Sequence, residues 1–213
     1  MIKKLKGKMR KAIMGLALLT ELSTPDIKAE GWANIQPAYD TKAKHATVKL
    51  EGGTKIADNV STYGFLHLDA TKEKPTDLEN FYGELRTAYS VTDILGLAAE
   101  YNGGNGTEDT IRLGITITPN LGKNNFTMLK FFPYETSEKK GPQWGLFTSQ
   151  KLTDRIGASL LLDYNTNNRT LYVEPQISVE LTKKLTGFLQ GRHFGSIDDK
   201  IELAPIIGLK YDF

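Results

Sequence analysis

Leu171-Tyr172-Val173-Glu174-Pro175-Gln176-Ile177-Ser178-Val179-Glu180-Leu181 alternates without a break: the odd positions are apolar or proline, and the even ones are Tyr, Glu, Gln, Ser and Glu. Successive side chains of a strand point to opposite faces, so a period of two sorts them cleanly, whereas a helix would scatter them around its circumference. This stretch reads as a strand with one apolar and one polar face.

The same spacing recurs along the chain. Ile111, Leu113, Ile115 and Ile117 alternate with Arg112, Gly114, Thr116 and Thr118, and Ala46, Val48 and Leu50 with Thr47, Lys49 and Glu51. Ile156, Ala158, Leu160, Leu162 and Tyr164 alternate with Gly157, Ser159, Leu161 and Asp163. At the end of the chain Ile201, Leu203, Pro205, Ile207, Leu209, Tyr211 and Phe213 alternate with Glu202, Ala204, Ile206, Gly208, Lys210 and Asp212. Twelve such segments begin near Trp32, Ala46, Ser61, Asn80, Ile94, Thr110, Phe126, Gln143, Arg155, Thr170, Leu185 and Lys200. Over 126–134 aromatics fall on both faces around Lys130, and the inside and outside of that strand stay open.

The connections alternate in kind. Ser90-Val91-Thr92-Asp93, Pro119-Asn120-Leu121-Gly122, Lys151-Leu152-Thr153-Asp154 and Leu181-Thr182-Lys183-Lys184 are short and recur every two strands. Longer polar or glycine-rich stretches, at 71–79, 102–109 and 135–141, fall between them. An even number of antiparallel strands with short turns at one end and longer loops at the other is an up-and-down β-barrel.

Composition narrows the classes. A mean hydropathy of −0.34 and the lack of a long apolar run exclude a bundle of membrane helices. They do not exclude a membrane barrel, whose strands need an apolar residue only at every second position. With no cysteine in the sequence, disulfides, thiol nucleophiles and cysteine-based zinc sites are ruled out together. Seven of the 27 basic residues but only two of the 25 acidic ones precede Glu30, which leaves 20 against 23, a balance of about −3. Such a body offers no basic field to nucleic acid. Residues 1–29 open with a basic segment, continue with the short apolar run Ala-Ile-Met-Gly-Leu-Ala-Leu-Leu (12–19), and reach Ala29 as a cleavage residue. We read them as a signal peptide, the alternative being a basic amphipathic helix retained at a membrane surface.

Period two alone does not say whether the apolar face meets lipid or a soluble core. Aromatics near strand ends (Tyr39, Tyr89, Tyr101, Trp144, Tyr164, Tyr211) suit interfacial girdles, and the apolar face shows little matching of large with small residues. The chain also closes on Phe213 after Leu209 and Tyr211 on the same face. This ending resembles the carboxy-terminal assembly signal of bacterial outer-membrane β-barrel proteins, and the whole of 30–213 is similar in pattern to small porin-like channels of about twelve strands. The resemblance implies an all-β, up-and-down antiparallel transmembrane β-barrel with short periplasmic turns and longer outer loops. It further implies a lipid bilayer around the barrel, recognition of the last strand by the barrel-assembly machinery, and residence in the outer membrane of a Gram-negative-type bacterium.

If the polar face lines a lumen, its charges are Lys49, Glu51, Asp69, Glu84, Arg86, Glu100, Arg112, Asp163, Glu174, Glu180, Arg192, Glu202, Lys210 and Asp212. They either form a transverse field that orders solutes or pair across strands to hold the barrel shut. Tyr63, Phe65, Tyr82, Phe147, Tyr172 and Phe188 share the inward parity, as stacking platforms or as filling. The expected activity is passive diffusion of small hydrophilic solutes such as sugars, nucleosides or ions, without cofactor, metal or catalysis. The competing readings are a lipid-modifying enzyme, a non-conducting structural or adhesive barrel, and a soluble binding barrel. For the enzyme the residues would have to come from His45, His67 or His193 with Ser196, and no Gly-x-Ser-x-Gly pattern supports them.

Overall fold

The computed structural model describes residues 31–70, 78–105, 107–137 and 140–213. The proposed leader, 1–29, lies outside them, as does most of the stretch expected to form a loop at 71–79. The strands are β1 (Gly31–Asp40), β2 (His45–Ala57), β3 (Val60–Ala70), β4 (Leu78–Ser90), β5 (Leu95–Gly104) and β6 (Thr107–Ile117). They continue with β7 (Asn125–Glu135), β8 (Gln143–Lys151), β9 (Ile156–Asn165), β10 (Thr170–Thr182), β11 (Leu185–Ser196) and β12 (Ala204–Asp212). Each strand pairs antiparallel with its sequence neighbours, and β1 pairs with β12, so the sheet closes without an edge. Asn34 lies opposite Asp212 and Ala38 opposite Gly208 in that seam, and Phe213 N–H donates to Ala33 C=O at 3.1 Å. Closure leaves no strand with an open edge, which in lipid would be costly.

The polar face points inward and the apolar face outward. Glu100, Asn102, Thr110, Arg112 and Lys130 are buried, while Ile177, Leu189 and Ile207 on the other face are each more than half exposed. In water such a surface would forfeit roughly 25 cal/mol for every Å² of apolar area left uncovered. It is the inverse of a soluble barrel, and the soluble reading is set aside on that ground. Exposed aromatics form two levels on the outside: Tyr39, Tyr101, Tyr134 and Trp144 towards one end, Tyr89, Tyr211 and Phe213 towards the end that holds the carboxy terminus.

Three short turns share one device, which explains their common sequence flavour. The Thr92 hydroxyl accepts the N–H groups of Ile94 and Leu95, Thr153 those of Arg155 and Ile156, and Thr182 those of Lys184 and Leu185. The side chain stands in for the backbone partner that the turn lacks.

Three expectations are corrected. Loop length is less segregated than the sequence suggested: most of 102–109 is not loop, because Asn102 and Gly103 stay in the ladder opposite Glu84 and Gly83, β5 runs to Gly104 and β6 begins at Thr107. The connection 118–124, at the other end, is one of the longer ones. The last strand starts at Ala204 rather than near Lys200, since β12 first meets β11 at Arg192; Ile201 and Leu203 lie in the connection before it, exposed.

The strand left open by the sequence carries a bulge. Thr116 faces Lys130 and Ile115 faces Phe131, but Leu113 faces Tyr134. Lys130 and Phe132 therefore point inward, Phe131 stacks on Trp144 outside at 4.1 Å, and after the extra residue Glu135 points inward again beside Arg112. Gly114 makes room: a Cβ there would lie 2.0 Å from the Phe131 carbonyl oxygen.

Candidate functional site

The lumen has two unlike walls. On the β5–β9 side, Arg112 Nη1 donates to Glu100 Oε1 at 2.9 Å and its Nε to Glu135 Oε2 at 2.7 Å. Asn102 also donates to Glu100 Oε1, at 2.8 Å, while Arg86 and Lys130 each approach Glu100 Oε2 at 3.9 Å. Lys130 spans β8 to reach Asp163 on β9 at 3.1 Å. It passes over Gly145, where a Cβ would lie 2.4 Å from both Asp163 Oδ1 and Lys130 Cε. The Glu100 side chain has no exposure, and those of Arg112, Lys130 and Glu135 have 5%, 3% and 1%. Buried charges of this kind survive only as a mutually compensated set.

Along β1–β4, continuous with this cluster through Arg86 and through the Tyr82 hydroxyl, which donates to Asn102, Glu51 gathers Lys49 at 2.7 Å, Gln36 at 2.6 Å, Asn34 at 3.1 Å and the Tyr63 hydroxyl at 3.3 Å. Arg192 Nε donates to Glu174 at 3.3 Å, and the Tyr172 hydroxyl donates to the same carboxylate. Four rings follow one another here: Trp32 to Tyr63 at 6.0 Å, Tyr63 to Phe65 at 6.3 Å, Phe65 to Tyr82 at 5.7 Å. Back on the β5–β9 side, Phe126 of β7 and Phe147 of β8 lie 5.9 Å apart, while Phe188 of β11 is buried across Gly208 and Ala38.

Of the charges expected inside, Lys49, Glu51, Asp69, Glu84, Arg86, Glu100, Arg112, Asp163, Glu174 and Arg192 all lie on the inward face, and the structure joins most of them into these two networks. Lys210 and Asp212 share that face near the carboxy terminus and pair at 3.6 Å. Glu180 is exposed at the last residues of β10. Glu202 stands apart: it lies in the exposed connection before β12, 3.0 Å from Lys42 at the rim. Sequence reasoning missed Asn34, Gln36, Asn102, Lys130 and Glu135. The first three were legible as polar residues of inward parity, whereas Lys130 and Glu135 sit on either side of the bulge and differ in parity.

The histidines do not assemble a nucleophile. His193 Nδ1 accepts the N–H of Glu202, while Ser196 Oγ accepts that of Asp198. His67 and His45 both face Asp69, at 2.9 and 3.6 Å.

No family model matches this sequence, and no curated protein matches it. Solved structures do. The KdgM porin in complex with disordered oligogalacturonate superposes with a TM-score of 0.58 at 10% identity, over 85% of this chain and 99% of that one. The NanC porin gives 0.59 at 8% identity, over 84% and 98%. At such identity the likeness is one of fold: the chain has the closed twelve-stranded architecture of these porins.

Proposed function

We propose that residues 30–213 form an outer-membrane channel for passive diffusion of small hydrophilic solutes, sugars, nucleosides or ions, and that 1–29 direct its export. The observation that carries this reading is the inversion of the barrel, with compensated charges inside and a continuous apolar face outside. The fold shared with the KdgM and NanC porins supports it. Leu209, Tyr211 and Phe213, on the outer face of the closing strand, are the residues we assign to recognition by the assembly machinery. Lys49, Glu51, Glu84, Arg86, Glu100, Arg112, Asp163, Glu174, Arg192 and Lys210 line the path, with Glu202 at its rim.

The charge pattern favours uncharged solutes and small ions over polyanions. Lys49, Arg112, Lys130 and Arg192 each stand within 3.3 Å of a carboxylate, so these four leave no unmatched cationic track among the described residues for an acidic polymer. The test is single-channel recording of the refolded mature chain in a planar bilayer under a salt gradient. Discrete conductance steps are expected, and stable insertion without steps would remove the channel.

A further inference from the structure

The two walls of the lumen differ in access. The side chains of Glu100, Arg112, Lys130 and Glu135 are closed off from water, whereas Tyr63, Phe65 and Tyr82 are only part-buried and Trp32 is 51% exposed. The rings of the aromatic wall thus keep part of their surface accessible. They climb from Trp32, near the start of β1, through Tyr63 and Phe65 on β3 to Tyr82 on β4, a residue paired with Gly104 at the far end of β5. Gly53 makes the first step possible: it lies between Trp32 and Tyr63 in the ladder, and a Cβ there would sit 3.0 Å from Trp32 Nε1.

The rings touch in tilted pairs at 5.7–6.3 Å. What sets them apart from an apolar filling is that polar groups flank them: Lys49 Nζ is 5.1 Å from the Phe65 ring centre and the Arg86 guanidinium 5.2 Å from that of Tyr63. Both cations are already matched, Lys49 by Glu51 at 2.7 Å and Arg86 by Glu100 at 3.9 Å. The wall thus offers apolar faces and hydrogen-bonding edges with little net charge. A pyranose presents the same pair of surfaces, an apolar C–H face and an equatorial belt of hydroxyls.

Resting on the channel reading, we infer that Trp32, Tyr63, Phe65 and Tyr82 form a stacking track along which neutral pyranose sugars bind and pass. Binding is weak and repeated, so that a sugar moves from ring to ring rather than lodging at one.

The test uses the refolded mature chain and a neutral α-linked glucose trisaccharide, with sorbitol as an acyclic control. In a bilayer the trisaccharide should interrupt the ion current in a concentration-dependent way and sorbitol should not. Phe65→Ala should weaken that block about tenfold, and Phe147→Ala, off the track, should leave the block unchanged. Trp32 and Trp144 are the only tryptophans, so in a Trp144→Phe background the fluorescence of Trp32 reports binding without any current. A saturable change with the trisaccharide alone supports the track even in a barrel that does not conduct. Ion steps without block, together with flat Trp32 fluorescence, would overturn the track and leave the channel standing; an equal response to sorbitol would also overturn it.

Discussion

Lys130 of β7 reaches across β8 to place its ammonium 3.1 Å from Asp163 of β9, and it can do so only because residue 145 is glycine. A side chain at 145 occupies the space of the bridge itself. Gly145→Val should separate the pair and leave the Asp163 carboxylate without its cation, at a cost of about 3 kcal/mol in urea unfolding from lipid vesicles. Gly114→Ala acts differently, since its Cβ meets backbone at the bulge, and it should slow or prevent folding rather than weaken one pair.

The inversion predicts a face-dependent penalty along β10. Ile177, which faces Leu189 and Ala158 in the ladder, is more than half exposed on the outer face. Ile177→Lys should cost about 2–4 kcal/mol in vesicles. Gln176→Lys, one residue along on the inner face, should cost under about 1 kcal/mol. Equal penalties at the two positions would speak against lipid on the apolar side.

The turn threonines can be tested apart from the lumen. Thr153→Val keeps the shape of the side chain but leaves the N–H groups of Arg155 and Ile156 without their acceptor. A loss of about 0.5–1.5 kcal/mol is expected. The conductance should not change.

Lys140, in the connection between β7 and β8, is pushed below the ordinary lysine range by partial burial and by the nearby Arg112, against the pull of Glu135 and Glu108. A lysine whose folded pKa is depressed holds its proton less tightly than in the unfolded chain, so stability rises as pH climbs from that lowered value towards the unfolded 10.5. The thermal midpoint should gain over this alkaline window, and Lys140→Gln should flatten the gain.

Much of this barrel was legible in the alternation of the chain. Leu171 to Leu181 and the strands around Ile111 and Ala46 sort correctly into faces, because a period of two is a local property of each strand. What was not legible depended on partners. The bulge at 131–134 shows only when β7 is laid against β6, where Gly114 accepts it, and it hid Lys130 and Glu135 from any parity argument. The start of β12 at Ala204 is set by where β11 meets it, although Ile201 and Leu203 continue the same alternation. The aromatics at 63, 65 and 82 were visible as inward residues, but their succession through Trp32 required Gly53 between neighbouring strands.

The direct test of the inverted barrel uses the absence of native cysteine. Single cysteines placed in turn at 171–181 and spin-labelled in vesicles would be read for contact with lipid-soluble oxygen and with a water-soluble paramagnetic nickel chelate. Contact should alternate with a period of two, with oxygen highest at positions 173, 177 and 179 and the chelate favoured at 174, 176 and 178. A reversed alternation, or labels at 173, 177 and 179 as open to the chelate as their neighbours, would contradict the account.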